Sequence, residues 1–166
     1  MMLAARPTSV ARLTGRFMRD RRASSAVEFA ILATPFFLLL MGVAQVGIFF
    51  MAQSALDTGV IKTAETLRTN FTTGSTATLL NAGQLKISVS SSAGAMISDD
   101  ASLAVEIRQF SNLTSSTVPI VDGTVDYGSN TSTLVLRAQS TVVTLAPGLG
   151  GLSRIYSSAL VRRQGT

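Results

Sequence analysis

Cysteine and histidine are both absent from this chain of 166 residues. Their absence excludes a thiol nucleophile, a disulfide bond, a zinc site of the usual Cys/His kind and a Ser-His-Asp triad. The carboxylates Asp99, Asp100, Asp122 and Asp126 are scattered in a pattern typical of surface turns, without the dense spacing of a calcium-binding loop. We therefore predict that the protein is not an enzyme and that it holds no metal and no other cofactor.

Charged and aromatic residues are also scarce, at 14% and 6% of the chain, and there is no tryptophan. Six arginines up to Arg22 stand against Asp20 alone, so this short leader carries the whole net charge of +5. A nucleic-acid-binding surface needs basic residues on the folded part of a protein, usually with aromatic side chains for base stacking. The remainder of this chain is balanced in charge, so nucleic acid is not an expected partner.

A long apolar run follows the leader, and no charged residue occurs between Phe29 and Leu56. A helix needs about 20 apolar residues to cross a hydrocarbon layer of ~30 Å, whereas the core of a cleaved signal peptide has only about 7 to 15. The run predicts one transmembrane helix over about residues 29–52. Because arginines crowd its N-terminal flank, the positive-inside rule places the N-terminus in the cytoplasm and the C-terminal part in the periplasm.

The helical pattern continues beyond the apolar run. Apolar residues recur at intervals of three to four positions: Leu56, Val60, Ala64, Leu67 and Phe71. This spacing is typical of an amphipathic helix that packs one face against a partner surface. We therefore expect one long N-terminal helix over residues 24–72, membrane-embedded first and amphipathic afterwards.

Gly, Ser, Thr and Asn become frequent after Thr72, and short alternating runs between them are typical of strands and turns. Four candidate strands are Leu85 to Ser90, Leu103 to Phe110, Thr133 to Thr144 and Ile155 to Val161. A short helix near Thr76 to Ala82 has only a weak signal. The prediction is an α+β fold with a leader at 1–23, the long helix at 24–72 and a Ser/Thr-rich domain with a small antiparallel sheet at 73–166.

The run Leu103 to Phe110 also predicts which side chains share a face of its strand. Leu103, Val105 and Ile107 fall on one side, and Glu106 and Arg108 fall on the other. This alternation is typical of a half-buried strand that turns one face towards a core.

A single carboxylate, Glu28, stands at the edge of the apolar run, where an ionisable group is costly unless it has a role. One interpretation is a capping box with Ser25 as N-cap, because the carboxylate would then satisfy a free N–H group. The other interpretation is recognition by another protein.

The surrounding residues resemble the processing region of the TadE-like family, the minor pilins or pseudopilins of the tight-adherence (Flp-type) pilus, which are type IV pilin-like. The resemblance rests on Arg21-Arg22, Ala23, Ser24-Ser25-Ala26, Val27-Glu28-Phe29-Ala30, Pro35 and the run from Gly42 to Gly47. Ala23 stands where the family usually has Gly, and Gln45 stands where it often has an acid.

The resemblance implies a structural role in pilus assembly and adhesion. It implies cleavage by a prepilin peptidase between Ala23 and Ser24, and docking to other pilin-like subunits and the assembly platform through Glu28 and Phe29. Pro35 would kink the helix, since proline removes one backbone hydrogen bond. The protein would reside in the inner membrane or, after assembly, in the extracellular pilus. The alternative function is an unprocessed, single-pass anchored protein whose outer domain binds a periplasmic partner.

Overall fold

The structure is a computed structural model that describes residues 21–72, 79–95, 97, 102–110, 118–129, 132–145, 148 and 153–163. Residues 1–20 of the predicted leader lie outside the described residues, and so do Asp99 and Asp100. The elements in chain order are α1 (Arg21–Thr72), α2 (Ala82–Ala93), β1 (Ala104–Gln109), β2 (Thr133–Thr141) and β3 (Arg154–Arg162). This order confirms the predicted α+β class with a long N-terminal helix. The chain divides into two compact units, Met1–Val43 and Ala44–Thr166.

The first unit contains the apolar beginning of α1. Its side chains from Ser24 to Val43 are exposed, apart from the partly exposed Ala33 and Gly42. Water would not tolerate so long an uncovered apolar surface, whereas lipid requires it. The described residues contain one helix that is long and apolar enough to cross a membrane, within Ser24–Thr72.

The second unit is built around the amphipathic part of α1. The predicted stripe is buried along its whole length, together with Ala52 one turn earlier: Leu56, Val60, Ala64, Leu67 and Phe71. These side chains share one core with apolar residues of α2 and of the sheet. The compact unit begins at Ala44, so the second half of α1 forms one wall of the folded domain.

The other wall is an antiparallel sheet in the order β1-β2-β3. All three strands overlap segments that the sequence predicts as strands, and β3 extends one residue beyond its predicted segment at each end. Leu103, Val105 and Ile107 are at most 2% exposed, which confirms the predicted core face of the first of these segments. The free edge of β1 is covered by the segment around Val125, which forms a parallel bridge to Ile107.

The predicted strand Leu85 to Ser90 is wrong, because this segment lies within helix α2. Asn81 caps the helix, and its side chain and that of Gln84 exchange hydrogen bonds with each other's backbone N–H groups in a capping box. Leu85 and Val89, one turn apart, are buried, whereas Ile87 between them is 56% exposed. The weakly predicted helix near Thr76 to Ala82 is not found at 79–81, and 73–78 lie outside the described residues.

A glycine allows α2 to approach α1 closely. A Cβ atom at Gly59 would lie 2.5 Å from the carbonyl oxygen of Val89 and 3.0 Å from the Cβ of Ala93. Any larger residue at this position would have to displace the backbone of α2. The packing of the two helices therefore depends on the missing side chain of Gly59.

Candidate functional site

The acidic residue at the head of the apolar helix is paired within its own turn. The hydroxyl of Ser24 donates a hydrogen bond to Oε1 of Glu28 at 3.3 Å, and both side chains are exposed. This spacing of four residues places both side chains on one face of α1. Glu28 is the only charged residue between Ser24 and Val43.

The capping-box interpretation of Glu28 is wrong for the full chain. Helix α1 already runs from Arg21, so Ser25 lies inside the helix and cannot be its N-cap. A carboxylate in a helix interior has no free N–H group of the first turn to satisfy. The observed partner of Glu28 is the side chain of Ser24 instead.

The other predicted site residues are local features of the same helix. Phe29 is 71% exposed and therefore available for contact with lipid or with another helix. Pro35 lies inside α1 without ending it, and the neighbouring Thr34 hydroxyl donates to the Ala30 carbonyl at 2.8 Å. The kink at Pro35 stays a prediction. The side chain of Ala23 lies outside the described residues, and its role in processing stays a prediction as well.

Gln45 makes the long-range contact that sequence reasoning missed. Its side chain is completely buried, and its amide donates to the Val143 carbonyl at 3.2 Å. Its Oε1 accepts the Leu145 N–H at 2.6 Å. We call this pair of bonds the Gln45 clamp, because it fixes the loop after β2 to α1. A lone amide in an apolar run was the available signal, since a buried amide must find partners.

Glu106 is the second buried polar residue that the sequence did not predict. Its side chain is fully buried, whereas the strand pattern predicts one core face and places Glu106 on the other. Arg137, its cross-strand neighbour on β2, places Nη1 2.9 Å from Oε1, and Arg108 places Nε 3.3 Å from Oε2. These are ion pairs without aligned hydrogen bonds. Oε2 also accepts the Val121 N–H at 2.8 Å.

The segment around Val121 therefore covers the second face of the sheet. Arg137 strengthens this cover, because its Nη2 donates to the Val118 carbonyl at 2.5 Å. We call Glu106, Arg108 and Arg137 the ionic cluster. A buried carboxylate needs such partners, since its desolvation is otherwise prohibitive.

The acidic residues of the predicted turns bind backbone and surface groups. Asp122 accepts the Val105 N–H at 3.0 Å and pairs with Lys86 at 3.3 Å. Asp126 accepts the Gly128 N–H at 2.9 Å. Among the described residues, no group of three or more acidic side chains is arranged to hold a metal ion. Asp122 lies in a turn, which confirms its interpretation, whereas Asp126 lies in the segment beside β1, where its N–H donates to the Ile107 carbonyl.

Comparison with known proteins supports the resemblance seen in the sequence. The model of the family described as TadE-like protein matches residues 23–64. The match covers about a quarter of the chain, begins beside the predicted cut and ends in the amphipathic part of α1. No curated protein and no solved structure matched the chain. The family resemblance is thereby confirmed for this segment, and this family is associated with tight-adherence pilus systems.

Proposed function

We propose that this TadE-like protein is a minor pilin or pseudopilin of a tight-adherence pilus. In this role it is held in the inner membrane by α1 and is needed for pilus assembly and adhesion. One observation carries the proposal: the exposed apolar run begins at Ser24 and contains a single carboxylate, bonded to the Ser24 side chain. An anchor without a further role would have no need for an ionisable group in that position.

Processing follows from the same arrangement. The arginine-rich leader keeps the N-terminus cytoplasmic, and a prepilin peptidase hydrolyses the peptide bond between Ala23 and Ser24. Hydrolysis creates a new amine on Ser24. Because Ser24 would then begin the helix, Glu28 would lie one turn from the new N-terminus, close to the positive end of the helix dipole.

The new amine gives Glu28 its proposed role. An amine and a carboxylate are each costly in a low-dielectric helix bundle, whereas as a pair they offset one another. The 3.3 Å contact between the two side chains supports the view that Glu28 can reach residue 24 of its own chain. In an assembly the same carboxylate meets the amine of a neighbouring subunit, and Phe29 packs beside it. The pair thus sets the register of docking.

The test is Glu28→Gln, which keeps the shape of the side chain and its ability to accept from Ser24 but removes its charge. We expect membrane insertion and cleavage to be largely intact, while piliation and co-purification with other pilin-like subunits and the assembly platform fall. Glu65→Gln is the matched control, since Glu65 is an exposed carboxylate later on the same helix. Full piliation of Glu28→Gln at equal protein level would contradict the docking role.

The intact mass of the membrane-extracted chain tests processing directly. We expect loss of the residues up to Ala23 in a host with an active prepilin peptidase. Recovery of only the full-length chain would instead favour the alternative function, an unprocessed anchored protein whose outer domain binds a periplasmic partner.

A further inference from the structure

The loop after β2 exposes apolar side chains beside the membrane helix. Val143 is 73% exposed and Leu145 is 47% exposed. We call these two residues the apolar lip. Further along α1, the apolar side chains of Phe50 and Met51 are 65% and 63% exposed. A patch of exposed apolar side chains marks a contact surface.

The part of α1 around Gln45 and the loop after β2 both lack charged residues. No charged residue occurs between Phe29 and Leu56, nor between Thr141 and Ser153. Loops that face water are normally polar, because water must solvate them. A charge-free loop joined to a charge-free stretch of helix is suited to lipid.

The Gln45 clamp lowers the cost of placing this part of the loop in lipid. Each unsatisfied backbone group costs several kcal/mol in hydrocarbon, which is why irregular backbone is normally excluded from the bilayer. Here Gln45 satisfies the carbonyl of Val143 and the N–H of Leu145. The N–H of Val142 donates to the Ser153 carbonyl at 2.6 Å. These three groups are therefore bonded within the protein.

Helix length places the lip at the membrane boundary. From Phe29, where the charge-free run begins, a helix of ~1.5 Å per residue crosses the ~30 Å hydrocarbon layer in about 20 residues, near residue 48. Gln45 lies about one turn before that point and is the first buried residue among the described side chains of α1. The loop that it holds therefore lies close to the periplasmic face of the hydrocarbon layer.

We propose that the apolar lip inserts into the periplasmic leaflet of the membrane that α1 crosses, so that the outer domain rests on lipid through Val143 and Leu145. This inference rests on the proposed function, since it needs α1 to be in the membrane. The partner is the lipid surface itself. The lip gives the domain a second, shallow attachment beside its helix and fixes its orientation on the bilayer.

The absence of cysteine from the chain allows a direct test with single-cysteine variants of the full-length protein. Val143→Cys and Leu145→Cys carry an environment-sensitive fluorophore in vesicles of phosphatidylethanolamine and phosphatidylglycerol. Quenching is compared between lipids with a nitroxide on the acyl chain and aqueous iodide. Leu40→Cys, in the exposed apolar run, is the reference for membrane insertion. We expect labels at all three positions to be quenched by the nitroxide lipids and shielded from iodide.

Ile87→Cys is the reference for water exposure. Ile87 is an exposed apolar residue on α2, next to Ser88, whose hydroxyl lies 3.1 Å from that of Thr63 on α1. Thr63 is about 27 Å further along the helix than Gln45 at ~1.5 Å per residue. A label at Ile87 should therefore be quenched by iodide and not by the nitroxide lipids.

The possible outcomes distinguish failure of the apolar-lip proposal from failure of the proposed membrane role of α1. Iodide quenching at Val143 and Leu145, with lipid quenching at Leu40, would overturn the lip and leave the anchored pilin intact. Protection of the two lip labels from both quenchers would show that protein covers them, which also overturns the inference. Absence of lipid quenching at Leu40 would overturn the proposed membrane role itself.

Discussion

Glu106→Gln tests whether the ionic cluster stabilises the outer domain. The substitution keeps the side-chain size but removes the carboxylate that pairs with both Arg137 and Arg108. Removal of one partner of a buried ion pair costs ~3–5 kcal/mol, because the other charge is left buried. The side chains of Arg137 and Arg108 are 11% and 30% exposed, so water replaces part of what is lost. We therefore expect a loss of about 3 kcal/mol, at the lower end of that range.

Thermal unfolding of the full-length chain in detergent measures this loss. Both tyrosines, Tyr127 and Tyr156, lie in the outer domain, so tyrosine fluorescence follows its unfolding without interference from the apolar run. At roughly 3 °C per kcal/mol, the melting temperature should fall by about 9 °C. Glu65→Gln removes an exposed carboxylate and should change stability by less than about 0.5 kcal/mol.

A triple variant separates the cost of an unpaired charge from the net value of the cluster. Glu106→Leu combined with Arg137→Met and Arg108→Met replaces all three members with apolar side chains of similar size, and such replacements are often nearly neutral. This variant should therefore be more stable than Glu106→Gln. If Glu106→Gln unfolded at the same temperature as Glu65→Gln, the cluster would have no stabilising role and our reasoning would be refuted.

Gly59→Ala should destabilise the domain, because overpacking against the Val89 carbonyl costs ~1–3 kcal/mol and outweighs the ~1 kcal/mol gained from helix propensity. Gly47→Ala should not destabilise the domain, because a Cβ at position 47 meets nothing within 4 Å. Equal melting temperatures for the two variants would contradict the close approach of α1 and α2. Burial raises the pKa of Tyr127 above 10.0, so folding favours its neutral hydroxyl. The stability it contributes is complete below pH 10.0 and is lost as the pH rises through the raised pKa. Tyr127→Phe should therefore weaken the fall in unfolding free energy at alkaline pH, and identical pH profiles for the two proteins would refute this assignment.

The periodicity of apolar residues alone predicts the buried stripe of α1 and the three strands. The stripe from Leu56 to Phe71 repeats every three to four residues, and each of its members is buried. Three strands were also found from their alternation. These elements are long or strongly patterned, so local sequence and tertiary packing favour the same structure.

In helix α2, local sequence and tertiary packing favour different structures. Leu85, Ile87 and Val89 alternate with polar residues, and two of them are β-branched, so the local pattern favours a strand. The helix forms because Asn81 and Gln84 cap its start and because α1 offers a surface for Leu85 and Val89. The N-x-x-Q spacing was the available sequence signal for the cap. The surface offered by α1 is a tertiary feature, and a short window of sequence does not contain it.

In the candidate site too, local contacts can be predicted from the sequence, whereas long-range contacts cannot. Glu28 and its partner Ser24 are four residues apart, so a local reading of the sequence finds both. Gln45 binds a loop about a hundred positions later, and Glu106 pairs with Arg137 across two strands. Their roles depend on sheet register and on the path of the loops, which composition does not determine.

The burial of the α1 stripe has a consequence for shedding of the outer domain. Leu56, Val60, Leu67 and Phe71 are each nearly or fully buried, and such side chains contribute ~1.5–3 kcal/mol apiece. Together they amount to roughly 6–12 kcal/mol, comparable with the entire net stability of an ordinary domain, ~5–15 kcal/mol. A protease that cut the chain within this stripe would remove part of the core and leave an unfolded polypeptide. Release of a folded domain would therefore require a cut before the stripe, near Val43, where the first compact unit ends.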